Sequence, residues 1–180
     1  MINYIGNCSD LIDWDTVIDE ISTLPGVIID STKLWNENVP SYFEIIEKLK
    51  NSDADMETVQ WINYYPDKDF NKNVVDIFSK YVSAVPIRSW ISKVNPGYYV
   101  PYHWDVDDNI EEYLKLGNLK RFSCFITQSS LGQILMIDKE YLFNQEKGAV
   151  YKWNKYNDWH ASTNASYSPK YLFHFLGYQT

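Results

Sequence analysis

The chain has 180 residues, with 16 Lys and Arg against 24 Asp and Glu and a formal net charge of -8. At 45% hydrophobic and 22% charged residues it is neither disordered nor of low complexity, and its length suits one domain that buries a core without disulfide or metal staples. So acidic a chain supplies no counterion-releasing patch for nucleic acid and no attraction to anionic lipid, which excludes both as general partners.

The start of the chain, Met1 to Asp10, carries neither a basic nor an apolar leader segment. Helix-like periodicity then runs through the first 85 residues. From Asp10 to Ile21, residues Leu11, Trp14, Val17, Ile18 and Ile21 share a face, Ser9 or Asp10 offers a cap, and Pro25-Gly26 a stop. Ser41 to Lys50 repeats the pattern with Phe43, Ile46 and Leu49, and Asn73 to Val82 with Val74, Ile77, Phe78 and Tyr81.

After Pro86 the period shortens to that of strands. Ile87–Val94, Tyr98–Val106, Arg121–Thr127, Gln133–Ile137, Tyr141–Phe143, Ala149–Trp153 and Tyr171–Gly177 are short runs rich in β-branched and aromatic residues. Asn95-Pro96-Gly97, Leu116-Gly117-Asn118, Ser129 to Gly132, Lys147-Gly148 and Ser168-Pro169 mark turns between them. A few helices followed by seven or eight strands predict one α+β domain over 1–180, a two-sheet antiparallel sandwich or barrel with helices on one outer face. Residues 1–85 form the helical support and 86–178 the β core. The cysteines, Cys8 and Cys124, lie far apart in sequence, and no apolar run nears the roughly 20 residues that span a bilayer. The expectation is a reduced, cytoplasmic protein.

Three histidines are present: His103, His160 and His174. His103-Trp104-Asp105 ends a predicted strand, where a period of two puts His103 and Asp105 on one face. His160 follows 55 residues after Asp105. Two imidazoles and a carboxylate form the facial triad of non-haem Fe(II) oxygenases, which leaves coordination positions open. A closed zinc site wants a fourth ligand, usually a thiolate, and neither cysteine is near the motif in sequence. A cupin of the usual type needs His-x-His and a following Glu, a metallo-β-lactamase-like hydrolase needs a denser histidine set, and a serine hydrolase needs a Gly-x-Ser-x-Gly elbow. The chain supplies none of these.

Further residues extend the pattern. Pro96-Gly97 precedes His103-x-Asp105 by five residues; Arg121-Phe122-Ser123 follows; Gly148 to Asn154 leads toward His160; Asn164 and Lys170 stand four and ten positions after it. Over roughly residues 86 to 178 this resembles the 2-oxoglutarate- and Fe(II)-dependent dioxygenases. Within them it is most similar to the aspartyl/asparaginyl β-hydroxylase-like and prolyl-hydroxylase-like branches. The resemblance implies a double-stranded β-helix (jelly roll, cupin-like) with the N-terminal helices packed on one sheet. It implies that His103, Asp105 and His160 bind Fe(II) and carry catalysis, and that Lys170 pairs with the distal carboxylate of 2-oxoglutarate. Arg121 and Ser123 match co-substrate-binding positions, with Ser123 replacing a histidine. Asn164 matches a recurrent Asn with a local backbone role.

The implied activity is hydroxylation of an amino acid, peptide side chain or small metabolite, with O2 as oxidant, succinate and CO2 as products, and ascorbate as an accessory reductant. Asp105 argues against the halogenase branch, which lacks that carboxylate. Leu172 stands where another branch has Ser, and Lys170 where many members have Arg. The connection from Asp105 to Arg121 is longer than in the β-hydroxylases, and Asn109 to Gly117 reads as a helical or lid insertion. Asp107 and Asp108 read as loop caps, His174 as a hydrogen-bonded core residue, Tyr99 as facing the cavity, Tyr102 and Trp104 as packing, and Trp153 and Trp159 as core or rim. The alternative to an enzyme is a non-catalytic jelly-roll binding or structural module without iron.

Overall fold

The structure, a computed structural model, describes residues 2–31, 47–52, 55–65, 72–105 and 110–179. In chain order the elements are β1 (Asn3–Asn7), α1 (Trp14–Ser22), β2 (Val27–Asp30), a 3-10 turn at Met56–Thr58, β3 (Gln60–Tyr64), α2 (Lys72–Val82), β4 (Val85–Val94) and β5 (Tyr99–His103). Then come α3 (Ile110–Leu116), β6 (Asn118–Phe125), β7 (Gln133–Ile137), β8 (Glu140–Leu142), β9 (Ala149–Lys152), β10 (His160–Asn164) and β11 (Lys170–Gln179). They build a jelly-roll sandwich of two antiparallel sheets. The larger has the order β1-β9-β6-β11-β4-β3-β2, the smaller β5-β10-β7-β8.

Strand β11 sits in the middle of the larger sheet, paired with β4 and β6, and eight consecutive residues from Lys170 to Gly177 are buried. Its period of two sorts them. Tyr171, Phe173 and Phe175 face the helical layer, where they join Trp14, Val17 and Ile21 of α1 and Val74, Phe78 and Val82 of α2 in the main core. Leu172 turns the other way and packs with Phe125, Leu135, Ile137 and Trp153 between the sheets. A strand covered on both faces reads as a continuous apolar run rather than an alternation.

Helix α2 forms where the periodicity places it, with Phe78 fully buried. Helix α1 starts later than Asp10. Asp13 is the cap, its side chain accepting from the Thr16 amide at 3.3 Å. The preceding residues close a turn in which the Ile12 amide donates to the Cys8 carbonyl, leaving Leu11 exposed. Of the helix expected at Ser41 to Lys50, residues 47–50 are helical and 41–46 lie outside the described residues, as do Asp107 and Asp108. The insertion after Asp105 is helical from Ile110 to Leu116.

The first 85 residues contribute strands as well as helices. β3 and β2 extend the larger sheet beyond β4, and β1 closes its opposite edge against β9. Both edge strands are short and mostly exposed, so neither carries the apolar alternation that marks a strand in sequence. The turn before β9 requires glycine: Gly148 takes φ +84, and a Cβ there would strike Asn7 and Ser9. No helix among the described residues is long and apolar enough to cross a membrane.

Candidate metal centre

The smaller sheet brings the two distant histidines together by register. His103 ends β5, His160 begins β10, and the two are direct partners in the antiparallel ladder. Their ring centroids lie 4.1 Å apart. Asp105 follows two residues past the end of β5. Its Oδ1 lies 3.4 Å from His103 Nε2 and its Oδ2 3.6 Å from His160 Nε2. One potential ligand atom from each of the three residues falls within 4.8 Å of the others.

The imidazole protonation follows from their backbone partners. His103 Nδ1 lies 2.7 Å from the Pro101 carbonyl and His160 Nδ1 3.1 Å from the Asp158 carbonyl. A carbonyl only accepts, so each Nδ1 carries a hydrogen and each Nε2 is the ring nitrogen turned toward the carboxylate. Burial pushes the His160 pKa well below the usual histidine value, and the neighbouring His103 adds to this. Desolvation raises the Asp105 pKa, but the Arg121 guanidinium and the two imidazoles reverse that and hold the carboxyl well below its ordinary range. The set thus offers two imidazole nitrogens and one ionised carboxylate oxygen. It suits a borderline divalent ion such as Fe(II). No thiolate completes it, since Cys8 and Cys124 are buried on the helical side of the larger sheet, their sulfurs 3.7 Å apart.

Behind the histidines lies a buried cation. Lys170, at the start of β11, is 1% exposed. Its Nζ donates to the Ile134 carbonyl at 2.6 Å and to Ser162 Oγ at 2.8 Å. Ser162 is two residues beyond His160 on β10, so it shares a face with that histidine. Burial pulls the Lys170 pKa from 10.5 to about 7. Its two neutral oxygen partners satisfy hydrogen bonds but supply no counter-charge to the ammonium.

Arg121 and Ser123 both point inward from β6. Arg121 is 3% exposed and its Nη1 donates to Asp105 Oδ2. Ser123 accepts from the Trp153 indole N–H at 2.9 Å and lies 3.1 Å from His174 Nδ1, whose Nε2 lies 3.0 Å from Ser92 Oγ. His174 is thus a hydrogen-bonded interior residue, with a pKa lowered by burial first and Arg121 second. Asn164 ties backbone together, donating to the Val94 and Ser168 carbonyls at 2.8 Å each. Trp153 is buried in contact with the His160 ring at 4.8 Å, whereas Trp159 sits at the surface stacked on Tyr102.

Three residues of this interior escaped the sequence reading. Ser162 belongs to β10, whose sequence His-Ala-Ser-Thr-Asn lacks the apolar alternation of a strand; the shared parity of His160, Ser162 and Asn164 was the available signal. Trp61 of β3 stacks on His103 at 6.1 Å and Trp90 of β4 on His174 at 5.0 Å. Trp61 lies in the half of the chain read as helical, and the inward facing of Trp90 depends on which side of β4 the helices cover.

No protein-family model matches the chain, and no curated protein does. Among solved structures it is similar to the viral collagen prolyl hydroxylase of Paramecium Bursaria Chlorella virus-1, determined as a 2-oxoglutarate complex, at 12% identity and a TM-score of 0.46, over 87% of this chain and 98% of that one. A prolyl-4-hydroxylase of Pseudomonas putida aligns at 10% identity and a TM-score of 0.44, over 93% and 100%. A predicted oxalate decarboxylase of Thermotoga maritima aligns at 8% identity and 0.41, over 66% and 81%. These likenesses concern the fold, and the chemistry of the site rests on its own geometry.

Proposed function

We propose that the protein is a 2-oxoglutarate- and Fe(II)-dependent dioxygenase that hydroxylates an amino acid, a peptide side chain or a small metabolite. The observation that carries this reading is the convergence of His103, Asp105 and His160 within 4.8 Å, in a sandwich whose interior also holds the buried Lys170. Iron bound there supplies the redox chemistry, in which O2 converts 2-oxoglutarate to succinate and CO2 and its second oxygen atom enters a substrate C–H bond.

The chain's own residues do the rest. His103 and His160 offer their Nε2 lone pairs in a geometry fixed by the β5–β10 ladder and by the Pro101 and Asp158 carbonyls. Asp105 would neutralise one unit of metal charge, and a set of three protein ligands leaves coordination positions open. Lys170 and Ser162 receive the far carboxylate of the co-substrate. The apolar layer of Phe125, Leu135, Ile137 and Leu172 keeps water from the interior between the sheets. A non-catalytic module has no use for a buried lysine without a counter-charge, whose desolvation costs folding stability.

The test is an anaerobic titration with Fe(II) and 2-oxoglutarate, followed by succinate analysis after exposure to O2. Wild-type protein is expected to develop a weak visible charge-transfer band and to release succinate. His103→Ala and Asp105→Ala are expected to lose both. Full iron-dependent turnover in both variants refutes the ligand assignment.

A further inference from the structure

The two histidines and the carboxylate are held by different means. His103 and His160 lie on paired strands, and each has its second nitrogen anchored on a carbonyl. Asp105 lies two residues beyond the end of β5, outside either ladder. Its side chain is instead engaged from the opposite sheet, where Arg121 of β6 donates through Nη1 to Oδ2. That guanidinium is itself held in place. Its centre lies 3.8 Å from the Trp153 ring centroid and 4.9 Å from that of Trp90. Trp153 is fixed through its N–H to Ser123, and Trp90 through its stack on His174. A planar cation among indole rings, aimed at one carboxylate oxygen, restricts both the position and the rotation of that carboxylate.

We infer that Arg121 is the positioning residue for the carboxylate of the metal centre: by engaging Oδ2, it holds Asp105 with Oδ1 beside His103 Nε2 and Oδ2 beside His160 Nε2. The inference rests on the metal-site reading. It gives Ser123 and His174 a common task, which is to fix the indoles of Trp153 and Trp90 that hold the guanidinium. It also separates two effects of Arg121 that act in opposite directions. By charge alone, a guanidinium near a divalent cation repels it, so removing the charge tightens metal binding. By positioning, removing it frees Asp105 to rotate and swing, so metal binding weakens.

The experiment measures Mn(II) affinity of the full chain by electron paramagnetic resonance of the free ion, in wild type, Arg121→Met and Arg121→Lys. Positioning predicts that Arg121→Met binds Mn(II) about 10–100-fold more weakly, the usual cost of losing a group that orients a metal ligand. Arg121→Lys, which keeps the charge but loses the planar fork, is expected to fall between. Equal or tighter binding by Arg121→Met overturns the inference. Should that variant not fold, Arg121→Lys decides: affinity at least threefold below wild type supports the inference, and unchanged affinity overturns it. A wild-type protein that binds no divalent ion removes the metal reading itself, whereas wild-type binding with an unaffected variant removes only the role of Arg121.

Discussion

Lys170 shows how one buried residue couples binding to pH. Its ammonium deprotonates at about 7 in the folded protein against an ordinary 10.5, because burial disfavours the charge. Between those values the unfolded chain holds the extra proton, so this group makes the ligand-free protein more stable as pH rises. Below about 7 both states are charged and the burial penalty is complete. The stability of Lys170→Met relative to wild type is therefore expected to be highest near pH 6 and to decline from pH 7 toward 10.5, as read by melting temperatures across that range. A difference that stays level with pH contradicts a charged Lys170 in the interior. Binding has the reverse dependence. A dicarboxylate wants the ammonium, so 2-oxoglutarate affinity is expected to fall as pH climbs above 7. Lys170→Met is expected to weaken it by about 30-fold or more, the result of removing one partner of a buried charge pair. Calorimetric titration at pH 6.5 and 8.5 measures both.

At the level of elements, β10 and α2 illustrate two kinds of support. β10 is central in the smaller sheet although it contains little apolar surface, because it is hydrogen-bonded to strands on both sides. Asn164 at its end joins it to β4 and to the following turn, donating to Val94 and Ser168 while accepting from Ser166. Asn164→Ala leaves buried carbonyls without their donors and is expected to cost about 2–3 kcal/mol, measured by urea unfolding. Helix α2 is held by aromatic contacts instead. Phe78 meets Phe173 at 4.9 Å and Phe175 at 5.4 Å between ring centroids. Phe78→Ala is expected to destabilise by about 3–5 kcal/mol through lost burial and the cavity left behind. An effect below about 1 kcal/mol in that variant argues against the docking of α2 on β11. Neither substitution touches the triad, so metal affinity of the folded fraction is expected to stay at the wild-type level.

For the whole molecule, an ion held by the proposed triad would join one end of the β5–β10 edge pairing to the larger sheet through Asp105 and Arg121. An ion that binds only the folded state adds about 2.7 kcal/mol at a concentration of 100 Kd, worth roughly 5–11 °C in melting temperature for a chain of this size. Differential scanning fluorimetry with Mn(II) is expected to show that rise and its reversal by a chelator. Its absence in wild type, or its full persistence in His160→Ala, contradicts a metal centre at this position.

What the residue order determines by itself is the content of the site and the strands of the β half. His103-x-Asp105 needs only the pleat of a strand, and Lys170 at ten positions after His160 needs only a turn between two strands. Helix α2 and the run of β11 are likewise set locally, by periodicity and apolar composition. The partnerships came from tertiary structure alone. Edge strands β1 and β2 take their form from the sheet edges they cover rather than from their own composition, and β10 from its two neighbours. Arg121 lies 16 positions from Asp105 and on the opposite sheet, and no spacing rule relates two sheets that close on each other. Pairwise contact across a sandwich is fixed by how its layers pack, so the side chains that hold a ligand in place become visible only when both layers are present.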